Sequence, residues 1–131
     1  MALIASTTVH SEHGYAQRIE SGGHALTADE PASGGGTDSG PSPYGLLLAS
    51  LGACTSITLR MYAARKGWEL GRVEVTLRHH KSHEGADRIE RELHFGAPLS
   101  DEQRTRLAEI AEKTPVTRTI RAGAPIETRI V

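Results

Sequence analysis

The sequence predicts an α+β domain: antiparallel sheet carrying one long helix and a short second helix on one side. Three observations lead there. A single apolar stretch, Pro43 to Lys66, has helix entry and exit signals at its ends. Segments of period-2 alternation lie both before and after it. Ser100-Asp-Glu-Gln103 then forms a capping box ahead of a second, shorter helical pattern. At 131 residues the chain is read as one domain, 1–131, long enough to bury a core without disulfides or a structural metal.

Taken in order, Leu3 to Val9 is a candidate first strand. Tyr15 to Glu20 folds back through the turn Ser21-Gly22-Gly23 into His24 to Ala28. Residues 32 to 40 hold no apolar side chain larger than alanine and read as a flexible connector. Ser42 is a candidate N-cap with Pro43 at the first helical position, and Lys66-Gly67 is the exit. A helix of about two dozen residues runs about 35 Å, so it is expected to cross the middle of the structure. Leu47, Leu48, Leu51, Cys54, Thr58 and Met61 are expected to form its apolar face, while Gly45, Ala49, Gly52, Ala53 and Ser56 make a face of small residues. Each glycine inside a helix costs about 1 kcal/mol relative to alanine, so something is expected to pack against that second face. Beyond the helix, Arg72 to Lys81 and the row Ile89, Arg91, Leu93, Phe95 predict an antiparallel hairpin. Leu107, Ile110 and Ala111 give the short helix its buried stripe, Pro115 is expected to stop it, and Ile126, Thr128 and Ile130 predict a terminal strand.

Composition narrows the partners. With 15 Lys plus Arg against 16 Asp plus Glu there is no basic stripe for nucleic acid or an anionic membrane. The N-terminus lacks the charged region and long apolar run of a signal peptide, and polar or small residues interrupt Tyr44 to Met61 too often for a membrane span, so a cytoplasmic protein is expected. Five aromatic residues are too few for an aromatic cage.

Chemistry concentrates on the lone cysteine, Cys54. A single thiol closes no internal disulfide and is either a small core side chain or a nucleophile that needs help. It lies about three turns into the helix, beyond the reach of the N-terminal dipole, so a thiolate there needs a cation delivered from elsewhere in the fold. Seven histidines include His79 and His80, but neighbours on a strand face opposite sides and the spacing fits no usual zinc pattern, so no metal is expected. Gly34-Gly35-Gly36 is followed by no Gly-Lys-Ser/Thr, and no cofactor is expected. No Gly-x-Ser-x-Gly elbow supports acyl transfer.

Gly40-Pro-Ser-Pro-Tyr-Gly-Leu-Leu-Leu-Ala-Ser-Leu-Gly-Ala-Cys-Thr55, with Arg60-Met-Tyr-Ala-Ala-Arg-Lys-Gly-Trp68 after it, resembles the osmotically inducible protein C (OsmC) and organic hydroperoxide resistance family. Ile110-Ala-Glu-Lys-Thr-Pro-Val-Thr-Arg-Thr119 resembles that family's second motif. The resemblance implies an OsmC-like fold in an intertwined homodimer, with the long helices packed together and the sites at the subunit interface. It also implies reduction of a small organic hydroperoxide by Cys54, whose thiol is polarised by an arginine from the N-terminal strands, at Arg18. Thr114 stands at the position of the family's resolving cysteine, Gly45 at that of its glutamate and Thr117 at that of a frequent histidine. A sulfenic acid on Cys54 then needs an external thiol reductant. The alternative is a binding or regulatory protein of the same fold with Cys54 as core packing.

Overall fold

Gly22 and Gly23 hold φ of +55° and +80°, which side chains disfavour, and this turn sends strand β2 (Gln17–Ser21) back as β3 (His24–Ala28). Strand β1 (Thr7–His10) lies on the other side of β2, giving an antiparallel sheet of order β1-β2-β3. Its register sets Ile19 opposite both Val9 and Leu26 on one face. The computed structural model describes Met1 to Val131, and this sheet belongs to the first of two units, Met1–Leu47 and Leu48–Val131.

The glycine-rich segment after β3 is ordered, contrary to the expected flexible connector. Asp29 is the reason. Its Oδ1 accepts from Glu30 N at 2.7 Å, and its Oδ2 accepts from the backbone and hydroxyls of Thr37 (3.2 and 2.7 Å) and Ser39 (3.1 and 2.7 Å). These bonds favour the ionised form and hold the carboxyl well below the usual aspartate range, first through the Thr37 hydroxyl. Gly36 is required here, because a Cβ would stand 2.1 Å from the Glu30 carbonyl oxygen. The segment delivers the chain to helix α1 (Pro43–Lys66), where Ser42 Oγ accepts from Gly45 N at 3.1 Å as the expected N-cap.

In the second unit α1 lies over the hairpin β4 (Val73–Lys81) and β5 (Asp87–Phe95), followed by α2 (Asp101–Ala111) and α3 (Pro115–Ala122). The helix ends at Gly67, φ +71°, with Trp68 N donating to Ala63 O at 2.9 Å. Its core contact differs from the expected face. Leu51, Thr55, Leu59 and Ala63, one stripe at i+4 spacing, are buried, whereas Leu47 and Met61 are exposed. The helix is apolar nearly all round, so periodicity gave no direction in which to turn it. Length and hydropathy alone would also suit a membrane span. The core joins Leu59 and Ala63 to Leu70, Leu107 and Ala111, with Leu93, Phe95 and Trp68 packed around them. Part of the small-residue face is explained inside this unit: a Cβ on Gly52 would come 2.9 Å from Leu77 Cδ1.

The hairpin register pairs Leu77 with Arg91 and His79 with Ile89, which puts His79 and His80 on opposite faces as expected. Ser100 and Gln103 complete the capping box of α2. The C-terminal end departs from expectation in two ways. Pro115 does not merely stop a helix; it opens α3 at the first helical position, with Thr114 as N-cap. Ile126, Thr128 and Ile130 form no strand, because residues 124–131 have no ladder partner within the chain.

Candidate active site

Strand β5 alternates inward Ile89, Arg91, Leu93 and Phe95, so one guanidinium is carried into an otherwise apolar row. Only 13% of the Arg91 side chain is exposed, and such a charge requires partners. It has four. Nη1 donates to Thr55 Oγ1 at 3.0 Å and Thr117 Oγ1 at 2.9 Å, while Nη2 donates to Ala111 O at 2.9 Å and reaches Glu112 Oε2 at 3.4 Å. Helix α1, strand β5 and the α2–α3 corner thus meet on one planar fork.

The hydroxyls around it are committed to structure. Thr55 donates to Leu51 O at 2.7 Å, leaving its lone pairs to Arg91. Thr114 and Thr117 share a bond of 2.6 Å, and Thr117 donates to Ala111 O at 3.3 Å. Thr114 is fully buried and caps α3 by accepting from Thr117 N. A hydroxyl suits these bonds better than a thiol, a weak donor and acceptor.

Cys54, the residue before Thr55, is a half-buried free thiol. Burial draws the Arg91 pKa below the ordinary guanidinium value; Glu112 opposes that shift, Arg121 adds to it, and Cys54 opposes it. Arg91 thus bonds the residue that follows Cys54 on α1. Arg18 lies on β2 of the first unit, exposed, opposite His10 and Thr27. Gly45 sits in the first turn of α1 against its own cap, and Thr117 belongs to the Arg91 network.

Arg91 was not singled out as a functional residue from the sequence, although a signal was present. A charged residue occupies an inward position of an apolar row, and such a position demands an explanation.

Comparison with known proteins agrees with this architecture. No curated protein sequence matches the chain. Among solved structures, an OsmC-like protein from Mycoplasma pneumoniae superposes with a TM-score of 0.80 at 18% identity, covering 92% of this chain and 89% of that one. An organic hydroperoxide resistance protein from Legionella pneumophila gives 0.69 at 20% identity, over 92% and 91%. The organic hydroperoxide resistance protein OhrB of Bacillus subtilis gives 0.63 at 25% identity, over 91% of each chain. The family model described as OsmC-like protein matches residues 36–129, and the chain belongs to that family.

Proposed function

We propose that the protein is a one-cysteine hydroperoxide reductase in which Cys54 is the nucleophile and an external thiol restores it. The observation that carries this reading is the nearly buried Arg91 guanidinium, bonded to Thr55, the residue next to Cys54 on α1. The Cys54 thiolate attacks one oxygen of a small organic hydroperoxide, an electron pair moves from sulfur to cleave the O–O bond, and the departing alkoxide takes a proton from water. Sulfenic acid and alcohol result. One external thiol then condenses with the sulfenic acid, releasing water and forming a mixed disulfide. A second displaces the Cys54 thiolate and leaves as the external disulfide. Arg91 supplies the fixed positive charge, and Arg18 keeps the role implied by the family as a second cation to test.

The two structural neighbours described above as organic hydroperoxide resistance proteins favour the same chemistry. We also infer a homodimer, because α1 leaves Ile57 and Met61 exposed at 56% and 57% on the side away from its buried stripe. A free cysteine and no disulfide suit a reducing, cytoplasmic setting.

Stopped-flow consumption of tert-butyl hydroperoxide, with and without dithiothreitol, tests the reading. Wild type is expected to react far faster than free cysteine and Cys54→Ser not at all. A wild-type rate no greater than that of free cysteine would leave the binding or regulatory alternative.

A further inference from the structure

Arg91 also lines a cleft of about 400 Å³ whose lining separates by chemistry. Leu51, Ile89 and Ile120 make an apolar wall, while Arg91, Arg121 and Glu112 make a charged end. That volume is at the small end for ligand sites and suits a compact molecule rather than a long acyl chain. At the charged end both guanidinium groups converge on one carboxylate: Glu112 Oε2 takes Arg91 Nη2 at 3.4 Å and also pairs with Arg121 Nη2. Two cations sharing one carboxylate make a subsite for a carboxylate, presently filled by the protein's own side chain. Glu112 and Arg121 are more than half exposed, so their ion pair is weak and exchangeable. Asp87, the remaining charge in the lining, is bound by Lys81 at 2.9 Å and His79 at 2.8 Å, which offsets its repulsion of an anion.

We propose that this cleft binds a small carboxylate-bearing thiol, whose carboxylate displaces Glu112 from Arg121 and whose short apolar body lies along Leu51, Ile89 and Ile120. The assignment to a thiol rests on the one-cysteine reading above, because Thr114 in place of a resolving cysteine makes the external thiol an obligatory second substrate. Arg91 joins the two halves of the site: it bonds Thr55, next to Cys54, and lines the cleft. Glu112 acts as an internal competitor that weakens anion binding and keeps both guanidinium groups partnered when the cleft is empty.

The experiment has two arms. In Cys54→Ser protein, which cannot turn over, 3-(methylthio)propionate and its neutral methyl ester are titrated while amide shifts are followed by NMR. Saturable shifts around Ile120 and Arg121 are expected for the acid, at least fivefold weaker binding for the ester and for Arg121→Gln, and severalfold tighter binding of the acid for Glu112→Gln. In wild-type protein oxidised with tert-butyl hydroperoxide, reduction by 3-mercaptopropionate is compared with 2-mercaptoethanol. The ratio of rates is expected to fall about tenfold in Arg121→Gln and to rise in Glu112→Gln. Equal binding of acid and ester overturns the carboxylate subsite. Selective binding with no change in the rate ratio overturns the assignment to the reductant. Failure of wild type to form any sulfenic acid defeats the one-cysteine reading and, with it, the assignment to a thiol, while the binding arm still decides the carboxylate subsite by itself.

Discussion

Arg91 Nη1 donates to Thr55 Oγ1 at 3.0 Å, which fixes a guanidinium from β5 against the helical turn that carries Cys54. The thiol lies beyond the reach of the helix dipole, so on the proposed reading this cation supplies its positive charge. Arg91→Met keeps much of the volume and removes the charge. Its rate with tert-butyl hydroperoxide is expected to drop at least tenfold, about 1.4 kcal/mol in barrier, with the far-UV spectrum unchanged. Arg91→Lys is expected to fall between the two, since an ammonium cannot reproduce the fork to Thr55, Thr117 and Ala111 O. A normal rate in Arg91→Met together with a large loss in Arg18→Met would transfer the role to Arg18.

Thr114 is a structural residue at a position where the family resemblance expects a resolving thiol. It caps α3 and shares its hydroxyl with Thr117, both buried. Thr114→Ala is therefore expected to lower stability by about 1–2 kcal/mol, the usual cost of losing an N-cap. Urea unfolding measures it, and Thr114→Ser should recover most of the loss. A change below a few tenths of a kcal/mol would mean that the cap contributes little.

Local signals gave most of the elements. The Ser42-Pro43 entry, the Gly67 exit, the Ser100–Gln103 box and the hairpin alternation are short-range chemistry and survive in the structure. What the sequence hid depended on long-range contact. The rotation of α1 follows from its packing against β4, β5 and α2, and an almost uniformly apolar helix carries no preferred face. Arg91 joins residues 20 to 36 positions away, so its partners are invisible to any local window even though its place in the apolar row is not. Residues 32 to 40 looked like a linker because much of their order comes from groups outside them, the Asp29 carboxylate and the Glu30 and Pro31 carbonyls.

That carboxylate makes the connector sensitive to acid. The folded value of Asp29 lies below its ordinary 3.8, so its contribution is fully present above that pH and is lost as pH falls through the folded value. In Asp29→Ala the amides of Thr37 and Ser39 are expected to lose exchange protection at neutral pH. The stability gap between wild type and this variant is expected to hold from pH 7 to about 4 and to narrow below it, as followed by urea midpoints. A gap that stays constant down to pH 2 would show that ionisation of Asp29 is not what orders the segment.

Along α1, Ala53, Ile57 and Met61 recur every four residues and are exposed, opposite the buried Leu51, Thr55, Leu59 and Ala63. On the proposed homodimer reading, a second copy of that helix covers these two large apolar side chains symmetrically. Small Ala49 and Ala53 on the same side permit close approach. Ile57→Glu is expected to convert a dimer to a monomer in light scattering at micromolar concentration, and Met61→Glu to weaken it at least tenfold, because each places two like charges near a twofold axis. Met61→Leu, which keeps the apolar volume, should leave the dimer intact. A wild-type chain that remains monomeric at about 100 μM, where a Kd of about 1 μM would leave it mostly dimeric, overturns this assignment of the helix face.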